Sequence, residues 1–483
     1  MPPQMKKIRS CPFLARDPWM RAIGWLLFLF STLTYAELPP PLIHALAAAH
    51  VPADNVGVYW RTIDSPIEAH THQPDKAFNP ASLMKLVTTY VALNTLGPHY
   101  RFKTDFYTHG TLQRGILNGD LIIQGHGDPK MNLENFWLAL RQLRAQGLKD
   151  IRGQVVFDAS AFGNALNNSP ALDGQNAQTY NTAPHALLLN LKSMTLTLSP
   201  QPQLGVVAIN VDPPLTPIHI TNHLRLSTAA CPKENPALVP RIVDSGHRVH
   251  LYFEGAWSAA CPPQTQYYSV LNPLAYNSAL FKYLWHELGG TLHGSTIEGT
   301  TPTTATLLFS ALSPPLSQII YDINKFSNNV MAKSVFLTLG QQSPASVPAS
   351  VEAIHLFLER QPLRMPHLKI DNGAGLSRQE ALSAGELGRL LEHAFHSPFM
   401  SEFMASLPIL GIDGTLARRT TDGALIGQAH LKTGSLDGVR AIAGYLRNAK
   451  SQWCVVVLII NDPAASATRA IQEDLLNWIY NNS

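Results

Sequence analysis

The sequence predicts a mixed α/β (α+β) protein whose middle is rich in strands. Three observations carry that prediction. A strongly apolar helix follows Pro80 and is closed by Gly97-Pro98. Residues 99–160 alternate in the manner of strands, and residues 197–270 are rich in Pro, Thr and Val with few helical patterns. Helical patterning returns at residues 277–288 and dominates from Leu316 onward, ending in a strand at 453–460 and an amphipathic helix at 465–480. With 483 residues the chain has room for two or three domains and a large core.

Taken in order, the chain begins with a segment that reads as a secretory leader. Lys6, Lys7, Arg9, Arg16 and Arg21 precede the apolar run 23–30, and Thr34-Tyr35-Ala36 supplies small residues for cleavage after Ala36. The apolar run is short for the ~20 residues of a membrane span, which favours cleavage over anchoring. Lys and Arg total 36 against 33 Asp and Glu, and residues 1–36 hold five of those bases and one acid. The remaining 31 bases and 32 acids leave a nearly neutral chain, which excludes the basic signature of a nucleic-acid binder. The expectation is an exported, periplasmic protein.

Next come a helix at 42–49, a strand at 56–60 and the helix after Pro80. A strand at 119–124 leads into the tight turn Gly125-His126-Gly127-Asp128-Pro129 and an amphipathic helix at 133–146. That Gly-x-Gly is no nucleotide loop, because a proline and no helical glycine pattern follows it. Residues 206–211 and 248–253 read as strands of a small β insertion. His70-x-His72 reads as a polar turn, since no third ligand lies at metal-binding spacing; no metal and no cofactor are implied. Among four cysteines, Cys11 leaves with the leader and Cys454 reads as a buried thiol in a central strand. Cys231 and Cys261, each followed by proline, are the candidate disulfide; such a loop is worth about 3 kcal/mol if unstrained.

The chemistry begins at Ser82 and Lys85. Three residues apart on a helix, they share one face within a turn. A lysine on a buried helix is costly unless it is paired or loses its proton. Far downstream stand Ser327-Asn328-Asn329 and Lys432-Thr433-Gly434-Ser435. The glycine of the latter suits close approach of an extended substrate backbone to an edge strand. Ser-x-x-Lys, Ser-x-Asn and Lys-Thr-Gly in this order form the set of penicillin-binding proteins and class A β-lactamases.

Beyond those motifs the chain resembles the low-molecular-mass class C penicillin-binding proteins, the D-Ala-D-Ala carboxypeptidases and endopeptidases of the DacB type. The resemblance runs over residues 37–483. It includes Gly125-His126-Gly127-Asp128-Pro129, Tyr180-Asn181-Thr182-Ala183-Pro184, Asp371-Asn372-Gly373-Ala374-Gly375-Leu376-Ser377-Arg378 and the segment 407–416. It implies a β-lactamase/transpeptidase-like catalytic domain, an antiparallel sheet flanked by helices, built from residues 37–98 and 305–483. Two nested inserts would interrupt it: domain II from 99–196 and 270–304, and a small β domain III at 197–269.

The resemblance also implies roles. Ser82 is the nucleophile, Lys85 its base, and Ser327 the relay to the leaving amine. Asn329 holds substrate and Lys85, and Lys432 adds positive field. Thr433 binds the terminal carboxylate beside Gly434, and the backbone amides of Ser82 and Ser435 form the oxyanion hole. A subsite for diaminopimelate would use Asp158 for the side-chain ammonium, with Phe162 beside it, and Arg378 for the side-chain carboxylate. Asp437 departs from the glutamine of the enterobacterial member, and an acid beside Arg378 weakens such binding. The implied partners are peptidoglycan stem peptides and β-lactam antibiotics, with peripheral membrane contact and a homodimer left open and no nucleic acid. Three other readings are an acylated β-lactam sensor, a β-lactamase and a non-catalytic wall-binding protein. The β-lactamase reading lacks a separate glutamate motif for deacylation, and the wall-binding reading leaves Lys85, Ser327 and Lys432 without purpose.

Overall fold

The computed structural model describes residues 38–163, 171–232, 238–419 and 423–483. The leader and its cleavage point after Ala36 lie outside the described residues.

The body of the protein is a five-stranded sheet in the order Ala429–Leu436, Val439–Arg447, Trp453–Asn461, Val56–Thr62 and His70–His72. Neighbouring strands are antiparallel throughout. Trp453–Asn461 is the central strand and is buried from Cys454 to Ile460. Its continuous apolar run follows from having both faces covered. Val456, Leu458 and Ile460 pack with Leu42, Leu475 and Leu476 of the two terminal helices, Pro40–Ala48 and Arg469–Asn482. Val455, Val457 and Ile459 point the other way into the main core, which also holds Leu86, Tyr90 and Leu387.

Two local expectations differ from the structure. The final helix is broken: a 3₁₀ turn at Pro463–Ala467 precedes Arg469–Asn482. Thr468 interrupts it, its hydroxyl donating back to the Ala465 carbonyl at 2.7 Å. His70-x-His72 is an edge strand, not a polar turn. His70 stacks on Trp60 with ring centroids 4.7 Å apart, and His72 Nε2 lies 3.0 Å from the Ala53 carbonyl.

The middle of the chain folds on a sheet centred on the hairpin Lys103–Gln113 and Ile116–Gly125. Helices Leu133–Ala145 and Pro273–Glu287 cover it with Phe136, Leu140, Phe281 and Trp285. Residues 306–312, expected with the catalytic body, form a strand that pairs with Lys103–Gln113 along its free edge. Backbone pairing to that edge outweighs nearness in sequence to the helices that follow. Within this unit sit two three-stranded sheets. One joins Gln264–Tyr268, Met194–Gln201 and Val206–Asp212, and the other Ile218–Ser227, Val249–Ser258 and Arg241–Asp244. Cys231 and Cys261 are bridged there, while Cys454 is a free, buried thiol in the central strand.

Candidate active site

Three chain segments converge on one buried amine. Ala81–Leu83 forms a 3₁₀ turn and Met84–Leu96 the helix after it. Every helix residue from Met84 to Leu93 is buried, so Lys85 has no water to solvate it. Its Nζ lies 2.9 Å from Ser82 Oγ and 2.7 Å from Asn329 Oδ1, and it donates to the Ala374 carbonyl. Burial, then the charge of Lys432, pushes the Lys85 amine well below the ordinary lysine range.

The second segment enters through Ser327, whose φ of +56° is the left-handed region that a non-glycine residue rarely adopts. This bend lets Asn328 cap the next helix, accepting from Met331 N at 3.0 Å, and turns Asn329 inward. The third segment is the sheet's edge strand Ala429–Leu436. Lys432 is fully buried, and burial holds its amine near 7. It donates to Ser327 Oγ at 2.8 Å and to the Thr433 carbonyl at 2.7 Å.

Two glycines let these segments touch. A Cβ on Gly434 would stand 2.6 Å from the Pro80 carbonyl oxygen. That glycine therefore makes room for the protein's own serine turn, a different reason from the substrate approach expected of it. A Cβ on Gly375 would stand 1.9 Å from the Ala81 carbonyl oxygen, and its φ is +81°. The loop carrying Ala374 thus lies directly against the Ser82 turn.

Ser82, Ser327, Asn329, Ser435, Arg378 and Asp437 line one cavity of about 520 Å³. Thr433 is not among the residues lining this cavity; its Oγ1 lies 3.2 Å from Thr415 Oγ1, and the Arg440 guanidinium donates to Ser435 Oγ. Arg378 donates to the Asp437 carbonyl and has Asp437 Oδ2 at 3.6 Å, the pairing expected of that odd position.

Asp158 is not in this cavity. It ends the strand Val155–Asp158 at 1 % exposure, and four donors fill its carboxylate. Ser160 N binds Oδ1 at 2.9 Å. Gln124 Nε2 at 2.9 Å, Thr301 N at 2.7 Å and Thr301 Oγ1 at 2.6 Å bind Oδ2. Burial would raise its carboxyl, but those bonds outweigh burial and hold it below the ordinary range. Three of these donors crowd Oδ2 and one binds Oδ1, so Asp158 is a buried, largely satisfied carboxylate away from the residues that line the Ser82 cavity. Phe162 lines a different cavity with Pro344 and Lys192, against Gly127.

The Ser82 cavity instead takes Leu172, Asp173 and Tyr180 from the inserted chain. Asp173 accepts from Tyr180 Oη at 2.6 Å, Asn181 Nδ2 at 2.8 Å and Gln175 N at 3.0 Å. The Tyr180 carbonyl accepts from Asn329 Nδ2 at 3.1 Å. Sequence reasoning missed these site residues. For Tyr180 the motif 180–184 was a usable signal; Asp173 carried none.

This architecture and site define an active-site-serine peptidase. The chain belongs to the D-Ala-D-Ala carboxypeptidase 3 (S13) family, whose model matches residues 42–482. It is similar to the D-alanyl-D-alanine carboxypeptidase DacB of Haemophilus influenzae, 25% identical over 95% of this chain and 94% of that one. A D-alanyl-D-alanine carboxypeptidase of Actinomadura sp. is also 25% identical, over 84% of this chain and 77% of the other. Among solved structures, penicillin binding protein 4 (dacB) of H. influenzae superposes with a TM-score of 0.74 at 24% identity, covering 91% of this chain and 99% of that one. The same protein in complex with a β-lactam gives 0.72 at 25% identity, covering 92% and 100%.

Proposed function

We propose that the protein is a serine D-alanyl-D-alanine carboxypeptidase and endopeptidase that acts on peptidoglycan stem peptides and cross-links through an acyl-enzyme on Ser82. β-Lactams would acylate the same serine. The observation that carries this reading is the surroundings of Lys85 Nζ. A neutral amine has two N–H groups and one lone pair. Asn329 Oδ1 and the Ala374 carbonyl take the two donors, which leaves the lone pair for the Ser82 hydroxyl 2.9 Å away.

In the forward step Ser82 Oγ attacks the carbonyl carbon of the penultimate D-alanine and its proton passes to Lys85. The backbone N–H groups of Ser82 and Ser435 receive the oxyanion. The intermediate collapses, the C–N bond breaks, and the leaving amine takes a proton through Ser327, which Lys432 replenishes. Water then attacks the ester and gives a proton through Ser327 to Lys432. Lys85 returns its proton to Ser82 Oγ as the ester C–O bond breaks, so both lysines regain their starting states. With Lys432 near 7, this relay holds a mixed charge population at neutral pH. Thr433 and the Arg378–Asp437 pair would meet the carboxylates of the substrate. The leader pattern supports export to the periplasm. Among the described residues no helix is long and apolar enough to cross a membrane.

The test is one pair of incubations. Benzylpenicillin should add its mass once to the intact protein, and a D-Ala-D-Ala pentapeptide should lose one alanine. Ser82→Ala should abolish both, with turnover falling on the order of 10⁶-fold. Stoichiometric labelling of that variant would overturn the assignment. Rapid release of hydrolysed penicillin would instead indicate a β-lactamase, and labelling without peptide turnover a sensor.

A further inference from the structure

The proposed chemistry leaves one buried acid beside the lysine without a task. Glu380 is 1 % exposed and belongs to none of the three motifs. Its Oε1 accepts three successive backbone N–H groups, from Asp371 at 3.2 Å, Asn372 at 2.9 Å and Gly373 at 2.9 Å. Three converging donors make a cradle suited to an anion. The other oxygen, Oε2, is buried with no hydrogen-bond partner. The next residue along the loop is Ala374, whose carbonyl accepts from Lys85. Thr88, one turn beyond Lys85 on the same helix, donates to the Gly373 carbonyl at 2.7 Å.

The charges around Lys85 come from three elements. Lys432 approaches from the edge strand, and Lys333 from the helix Asn329–Leu339, where Asp371 also faces it. Glu380 is the acid that opposes the two cations at Lys85; burial and the nearby Asp371 push its own carboxyl up, while the three backbone N–H groups favour its anion. An uncompensated cluster of three buried amines is costly, and a buried carboxylate without an opposing cation is equally so.

We infer that Glu380 is a positioning residue for Lys85: its carboxylate moulds residues 371–373 so that the Ala374 carbonyl orients the amine, and its charge offsets Lys432 and Lys333. The inference rests on the proposed role of Lys85 as the base that activates Ser82. A loop staple alone would need only the acceptor oxygen. The positioning role also needs the negative charge, and the two are separable.

Glu380→Gln keeps an oxygen for the three N–H groups and removes the charge. An anion near Lys85 favours the ammonium, so its loss makes the base available at lower pH. The acid limb of penicillin acylation, followed by intact mass or a chromogenic β-lactam, should therefore move down by about 0.5 to 1 pH unit. Glu380→Asp keeps the charge and withdraws the oxygen from the cradle. It should lower the plateau acylation rate about 10-fold and leave the midpoint in place. An unmoved midpoint in Glu380→Gln overturns the charge role. An Asp variant with a wild-type plateau overturns the moulding role, and that result stands even if the Gln variant does not fold. Wild-type protein that fails to acylate at any pH would refute the Ser82 reading itself, which keeps the two failures apart.

Discussion

Arg378 and Asp437 meet at the open end of the cavity, where water weakens both. Asp437 is 97 % exposed in its side chain and Arg378 49 %, so their pairing at 3.6 Å is a competition more than a lock. A substrate carboxylate approaching Arg378, as proposed, would displace a neighbour that is already there. Asp437→Gln should raise kcat/KM for peptides bearing free diaminopimelate relative to acetyl-lysine analogues by a few-fold at most. Benzylpenicillin, which lacks that side chain, should acylate the variant at the wild-type rate. An unchanged or lower ratio of the two peptide constants would remove Asp437 from the subsite. The pairing was legible in sequence because both residues lie in short motifs. The fate of Asp158 was not, because Thr301, which supplies two of its four hydrogen bonds, stands 143 residues away. Local pattern tells that an acid is present; it does not tell how many donors the fold has already brought to it.

Elements are where strain and burial accumulate. The loop 371–380 lies so close to the Ser82 turn that Gly375 has no room for a methyl group, and its positive φ adds a backbone cost of about 1 kcal/mol or more. Gly375→Ala should displace the Ala374 carbonyl from Lys85 and cut acylation by ten-fold or more, with near-native circular dichroism. Wild-type acylation would mean that the loop shifts freely. A second element carries a pH signature. In the turn after Ile116–Gly125, Asp128 accepts from Lys130 N at 2.8 Å, while its other oxygen is buried without a partner. Burial pushes its carboxyl up to about 6. The folded state then holds this proton more tightly than the unfolded chain, so Asp128 contributes stability at low pH. That contribution is lost as pH rises from about 4 through 6. Asp128→Asn should remove the loss, raising stability at pH 7 relative to pH 4 by about 2 kcal/mol against wild type. Thermal melts of both proteins across that range would show it, and parallel curves would refute it. Apolar periodicity announced most helices and strands directly. The break at Thr468 was hidden because it rests on one hydroxyl bond and leaves the apolar spacing intact.

At the scale of the whole molecule, the inserted chain reaches into the catalytic body. The three motifs were readable because each is short and chemically specific, yet the wall they share with residues 171–181 appears only after folding. Asp173 gathers Tyr180, Asn181 and Gln175, and the Tyr180 carbonyl then holds the amide nitrogen of Asn329, whose oxygen meets Lys85. Through these bonds, order in the insert would be coupled to the alignment of Lys85. Asp173→Asn leaves one acceptor oxygen where three donors converge, so residues 171–181 should loosen while the cores on either side stay intact. Hydrogen exchange in that segment should rise, the melting temperature should stay within about 2 °C because surface bonds are weak, and peptide turnover should fall about 3- to 10-fold. A rise in exchange with no fall in turnover would show that the insert merely abuts the site, and that Asn329 keeps its place without help from Tyr180.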